Sequence, residues 1–265
     1  METATVNILI PILNPADPIE QIVEHAATLG KVFVIDASGK ESTRDRAAAA
    51  GAVVMQRPFD DFSTLKNWAM GQLPAEGQWV LILNADERVT PALRKEILAA
   101  TAQSTDADGM VVRQQLVFMG RVLRPLGLYR ARELRLIRQG RGQFDGRRVQ
   151  EQLMCQGKTI RLHHPLLVVR RESISAEIAR MIRSAELRSD DWLRSQTGVA
   201  TRPKTGLVPF RPLWAFLKSY LVLGGILSGR AGWHIAKLLA SYEYMTCLLY
   251  RDKRSHQAAD APNDR

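Results

Sequence analysis

Asn84, Ala85, Asp86 and Glu87 place an amide and two carboxylates within four residues, directly after the apolar run Trp79 to Leu83. Ligands of open α/β sheets bind beyond the carboxyl ends of the strands. Acidic side chains at such an end can hold a hard cation, Mg²⁺ or Mn²⁺, against a substrate diphosphate. The other reading is a solvated loop whose charges favour the amino end of the helix that follows. Thr90-Pro91, an N-cap and first-turn pair, predicts that helix, with Leu93, Ile97 and Leu98 on its inner face.

The chain before this turn alternates strand and helix. Val6 to Ile12 reads as a strand, and Asp17-Pro18 starts a helix that Gly30 ends. Val32 to Ile35 is a second buried strand closing at Asp36, after which Ser42 or Thr43 can cap a short helix ended by Gly51. Ala52 to Met55 is a third strand, and Asp61 or Ser63 caps a helix carrying Leu65, Trp68, Ala69 and Leu73 on one face. This order predicts a mainly parallel sheet covered on both faces, with right-handed crossovers. Met110 to Phe118 and Glu133 to Arg138 read as further strands, and Leu123 to Arg132 between them as a functional loop or lid. A packing helix is predicted from about Ala176 to Ser195, with Ile178, Ile182, Ala185 and Leu193 inward.

The length of 265 residues suits one large domain, or one domain with an appendage. Cys155 and Cys247 offer no framework or metal-ligand spacing, which points to a reducing compartment, and METATVNILIPIL lacks the basic region and cleavage site of a signal peptide. The expected location is therefore cytoplasmic, peripheral on the inner face of the cytoplasmic membrane. The formal charge of +10 is unevenly spread: residues 1–108 hold 9 basic and 15 acidic side chains, residues 109–183 hold 16 and 5, and residues 202–265 hold 10 and 4. A basic second half suits anionic lipid or a phosphorylated substrate. Nucleic acid is disfavoured, because no binding module is recognisable and few aromatics interleave with the arginines.

From Pro212 to Arg254 the chain is as hydrophobic as a membrane segment, but Lys218, Arg230 and Lys237 interrupt it. Two interfacial helices fit better than a span, with Trp214, Tyr220 and Trp233 at headgroup level and Lys218, Arg230, Lys237 and Arg251 toward anionic lipid. The alternative is a pair of helices packed on the core or on a second subunit. The tail from Ser255 to Arg265 is expected to be disordered. The expected division is residues 1–108 and 109–200 as two halves of one catalytic domain, 201–254 as amphipathic helices, and 255–265 as tail.

Several stretches in order carry a family likeness: VFVIDASGKEST at 32–43, QRPFDDFSTLKNWAM at 56–70, WVLILNADERVTPAL at 79–93, ELRLIRQGRGQFDGRRVQE at 133–151, and PLWAFLKSYL from 212. Over residues 5–250 the chain resembles family 2 glycosyltransferases, specifically the lipopolysaccharide-core β-1,4-glucosyltransferase group. The resemblance implies a GT-A fold, a Rossmann-like mainly parallel sheet with flanking helices, here followed by C-terminal amphipathic helices. It further implies a nucleotide-sugar donor (a UDP-sugar first), a divalent metal (Mn or Mg), inversion at the anomeric carbon and a lipopolysaccharide-core or other lipid-linked saccharide as acceptor. Carried over by position, Asp86 matches the metal ligand and Glu151 the general base. Asp36 matches the base-contacting acid, Lys66 and Asn67 the Lys-Asn pair beside the donor, and Arg135 the arginine that can reach the diphosphate. Asn14 matches the asparagine of the first loop, and Asn84 stands where the family usually has aspartate, still able to hydrogen-bond a ribose hydroxyl. Pro15 replaces a glutamate and Gln150 a histidine of the pattern. These departures support a second reading, a non-catalytic relative that binds a sugar nucleotide or glycolipid or scaffolds envelope enzymes.

Overall fold

A computed structural model describes residues 6–12, 18–58, 61–74, 79–103, 106–118, 120–123, 132–146, 151–169, 174–194 and 210–259. The chain forms two compact units, one of residues 1–117 and 130–169, the other of residues 118–129 and 170–265.

The first unit opens with β1 (Val6–Ile12), α1 (Ile19–Ala27), β2 (Lys31–Asp36), α2 (Glu41–Ala49), β3 (Val53–Gln56), α3 (Phe62–Gln72) and β4 (Trp79–Ile82). Gly30 lets the chain enter β2 against β1, since a Cβ there would stand 2.0 Å from the Val6 carbonyl oxygen. β5 (Glu87–Val89), α4 (Pro91–Ala102) and β6 (Gly109–Phe118) follow. β7 (Arg121–Val122) falls in the second unit, after which the first resumes with β8 (Arg132–Arg138), β9 (Gly142–Phe144), β10 (Leu153–Cys155) and β11 (Thr159–Val169).

The main sheet runs β3-β2-β1-β4-β8-β6-β11-β5. β3, β2, β1 and β4 are parallel, β8 is antiparallel to both β4 and β6, β11 runs parallel to β6, and β5 is antiparallel to β11. Because side chains alternate along a strand, β1 feeds two cores. Ile8, Ile10 and Ile12 share one with Ile19, Ile22 and Val23 of α1 and Leu93 and Ile97 of α4, while Leu9 shares the other with Phe33, Ile82, and Leu65 and Ala69 of α3. A mostly parallel sheet between helical layers is the GT-A architecture read from the sequence. Residues 109–169 supply β6, β8 and β11 to the same sheet as β1–β4.

Caps follow the sequence closely. Asp61 accepts from Thr64 N at the start of α3 and Thr90 from Leu93 N at the start of α4. Two readings need correction. α2 begins after Lys40, which makes no side-chain cap, rather than at Ser42 or Thr43. On α4 the third inward residue is Thr101, whose hydroxyl bonds the Ile97 carbonyl, and Leu98 is exposed.

The second unit is helical: α5 (Ile174–Arg194), α6 (Arg211–Leu217) continuing as a π turn over Lys218–Val222, a 3₁₀ turn at Gly225–Ser228, and α7 (Gly229–Ala259). The inward face of α5 is Met181, Ala185, Ser189 and Trp192, and Ile178 and Ile182 are exposed, contrary to the sequence reading. Met181 and Ala185 pack with Tyr242, and Trp192 with Cys247 and Tyr250, so the length of α7 selects the buried stripe. α7 also carries helix through residues 255–259, which correct the expected disordered tail; residues 260–265 are outside the described set.

Candidate active site

Within the first unit the chain leaves β1 for β2 on one side and places β4 on the other, so the strand order reverses between β1 and β4. Ligands of such sheets bind in the crevice outside the carboxyl ends of the strands at that point. The loop after β1, with Asn14, lies outside the described residues. The turn after β4 is Asn84–Glu87, and Asp36 ends β2 on the same edge.

Asp36 is buried and fully engaged. One oxygen accepts from Ser38 N and Ser38 Oγ, and the other stands 3.1 Å from Arg44 Nη1. This fixes the loop after β2 on its own strand end.

Glu87, read in the sequence as one of the turn's two carboxylates but given no role of its own, organises the acidic turn. Its Oε2 accepts from Asn84 N at 2.9 Å, and its Oε1 accepts from Arg135 Nη2 at 2.5 Å and Gln114 Nε2 at 3.0 Å. β5 explains its orientation: alternation turns Glu87 and Val89 inward and leaves Arg88 half-exposed. Burial pushes the Glu87 carboxyl up against the pull of Arg135. For Arg135 burial opposes the charge, but Glu87, Glu133, Asp86 and Glu151, in that order, outweigh it and raise the guanidinium further. Arg135 Nε is buried without a hydrogen-bond acceptor among the described residues.

Asp86 is half-buried, and its carbonyl accepts from Val169 N at 2.7 Å, which ties the turn to the end of β11. Asn84 is likewise half-buried beside it.

α3 carries Lys66 and Asn67. Lys66 is 3% exposed; its Nζ is 2.7 Å from Glu151 Oε1 and lies 5.0 Å from the Phe144 ring centroid and 5.5 Å from that of Phe62. Asn67 clamps Phe144 through both backbone groups, Nδ2 donating to its carbonyl at 3.1 Å and Oδ1 accepting its N–H at 2.7 Å. Helix α3, β9 and Glu151 are therefore fastened as a unit. Gln150 and residues 147–149 lie outside the described residues.

Among the described residues no three His, Cys, Asp or Glu side chains converge as a metal group. Mg²⁺ in nucleotide sites is commonly held by one or two carboxylates plus substrate phosphates, and a half-buried Asp86 fits that one-carboxylate pattern.

No family model matches the chain. It is similar, at 24% identity over 241 residues, to the lipopolysaccharide core biosynthesis glycosyltransferase LpsC of Rhizobium meliloti strain 1021, with 88% of this chain and 87% of that protein covered. The resemblance read from the sequence is borne out. Among solved structures, glucosyl-3-phosphoglycerate synthase from Mycobacterium tuberculosis with Mn²⁺, UDP and phosphoglyceric acid is 14% identical over 77% of this chain and 81% of that one, at a TM-score of 0.46. A mycobacterial protein is 13% identical over 69% and 73%, at 0.43.

Proposed function

We propose that this chain is an inverting glycosyltransferase that moves a sugar from a nucleotide-sugar donor, a UDP-sugar first, to a lipopolysaccharide-core or other lipid-linked saccharide at the cytoplasmic membrane face. The observation that carries it is the buried Arg135 bonded to Glu87 of the acidic turn and to Glu133, at the edge where the strand order reverses, with Lys66 and Glu151 paired at 2.7 Å in the same unit. Similarity to a lipopolysaccharide-core glycosyltransferase over most of both chains supports the acceptor class.

In this reading an acceptor hydroxyl oxygen attacks the anomeric carbon while its bond to the diphosphate oxygen breaks. Glu151 Oε takes the hydroxyl proton, and one base suffices for inversion. Lys66 holds the carboxylate in place. Arg135, held between Glu87 and Glu133, adds positive potential toward the charge growing on the leaving diphosphate. Mn²⁺ or Mg²⁺, held by Asp86, supplies Lewis-acid stabilisation of that leaving group. Asn84 offers an amide to a ribose hydroxyl, Asp36 and Asn67 border the donor, and the family likeness assigns Asn14 to donor binding as well.

The non-catalytic alternative has one observation in its favour: Glu151 and Glu87 are both ion-paired within the protein. Calorimetric titration with UDP-, GDP-, ADP- and CMP-sugars, with Mn²⁺ or Mg²⁺ and again with chelator, separates the two. Metal-dependent binding of one nucleotide class, followed by sugar transfer to a core saccharide, is expected. Binding without transfer to any core or lipid-linked acceptor favours the non-catalytic relative, and no binding at all sinks the donor assignment.

A further inference from the structure

The second unit carries a surface that the sheet chemistry does not use. From Trp192 to Tyr242 the chain holds seven Lys or Arg and no Asp or Glu. Within the described part of this stretch lie α6, the π turn, the 3₁₀ turn and the start of α7. Large apolar side chains point outward along it: Phe210, Leu213, Trp214, Leu217 and Leu221, then Val222, Ile226 and Leu227 at the bend. Val222 is 70% exposed and Leu227 68%. Scattered single hydrophobics need no explanation, but a continuous run of this kind marks an interaction site.

At the bend Phe216 and Tyr220 stack at 5.5 Å and Trp233 meets both edge-on at 5.2–5.3 Å, which packs α6 and its π turn against α7. Lys218 and Arg230 are exposed on either side of the apolar tip, and Lys237 lies over the Trp233 ring at 4.8 Å. Among the described residues no single helix is long and apolar enough to cross a membrane, and the two arms, Arg211–Val222 and Gly225–His256, meet at 66°.

We propose that this bent arm is an insertion wedge for an anionic bilayer. Val222, Ile226 and Leu227 enter the acyl boundary, Trp214 and Trp233 sit at headgroup depth, and Lys218, Arg230 and Lys237 meet the lipid phosphates. Glu243, one residue past this stretch, is taken up by Arg188 and Arg211, so the exposed charges at the tip, Lys218, Arg230 and Lys237, are all basic; a self-complementary face of that kind repels its copy, whereas anionic headgroups attract it. Apolar area and basic charge add in interfacial binding, so loss of either weakens it. The inference deepens the membrane placement of the proposed acceptor, but its test needs no catalysis.

Flotation of the full chain with vesicles of phosphatidylglycerol and phosphatidylcholine, and with phosphatidylcholine alone, tests it. The parent protein is expected to float with the anionic vesicles and to be released by alkaline carbonate. The double variant Val222→Asp/Leu227→Asp should lose at least about tenfold in vesicle affinity, and Lys218→Glu/Arg230→Glu should lose the preference for anionic lipid. All four positions are exposed, so circular dichroism should stay at parent values. Three results overturn the proposal: no flotation of the folded parent, resistance to carbonate, or a parent dimer that the Asp variant converts to monomer in sedimentation velocity. Vesicle binding without any nucleotide binding would leave the wedge standing and remove the transferase reading instead.

Discussion

Arg135 Nη2 stands 2.5 Å from Glu87 Oε1, joining the middle of β8 to the acidic turn after β4, with both residues buried. A buried pair contributes little over an apolar substitute, but removing one partner strands the other charge. Glu87→Ala should therefore cost about 3–5 kcal/mol of unfolding free energy in a urea titration. The exposed Lys158–Asp106 pair, 3.7 Å apart, is the control, and Asp106→Ala should cost under about 1 kcal/mol. Equal costs at the two sites would show that Arg135 finds another counter-charge when Glu87 is gone.

Asp86 and Glu151 separate binding from transfer. Asp86→Ala should remove the metal-dependent part of donor affinity in calorimetry and leave the thermal midpoint near the parent value. Glu151→Gln keeps an acceptor for Lys66 but cannot take a proton, so donor affinity should hold while kcat falls by about 10²–10⁴. Unchanged donor binding in the first variant, with metal present, removes Asp86 as ligand; near-parent transfer in the second removes Glu151 as base.

Strands β1 to β4, β6 and β8 and the Thr90 and Asp61 caps were legible in the sequence because each is marked by its own residues, whereas β5 and β9 to β11 were not read. Nor was the role of Glu87 legible, for the partners that bury it, Gln114 and Arg135, lie 27 and 48 residues away. A local signal existed: Glu87-Arg88-Val89 reads as a short alternating strand, which would have turned Glu87 inward with Val89. Ile178 and Ile182 were misjudged for a related reason. Two stripes on α5 satisfy helical spacing, and only its packing on α7 chooses Met181, Ala185 and Trp192. The Lys66–Glu151 pair spans 85 residues, and the resemblance supplied both residues without their contact.

Glu96 sets an acid limit on stability. The β6–β11 ladder shifts register between Arg161 and Pro165, and there Glu96 of α4 accepts the backbone N–H groups of His163 and His164, with both imidazole Nδ1 atoms within 2.9 Å. Burial alone would raise the Glu96 carboxyl, but these hydrogen bonds outweigh it and lower it to about 2. A carboxyl lowered on folding stabilises the protein above its unfolded value, 4.5, and that stability is lost as pH falls toward 2. At this partly solvated site the loss should be roughly 1–2 kcal/mol after screening. Denaturant titrations at about pH 6, above the window, and about pH 3, inside it, should show a drop that Glu96→Gln reduces; an unchanged drop would assign it to other carboxylates.

Asn67 decides between two roles for the Lys-Asn pair. Its amide satisfies both backbone groups of Phe144, whose ring lies beside Lys66 Nζ, so Asn67→Ala frees β9 and loosens Lys66 and Glu151 together. The lost backbone partners should cost about 1–3 kcal/mol of stability. If Asn67 acts through this clamp, kcat falls while donor affinity changes little, and Asn67→Asp, which can still accept the Phe144 N–H, recovers part of the rate. If Asn67 instead touches the donor, as the family likeness implies, donor affinity falls at least as far as kcat and Asn67→Asp gives no recovery, because a carboxylate would then face the diphosphate. Donor affinity and kcat measured on the same two variants distinguish the clamp from the contact.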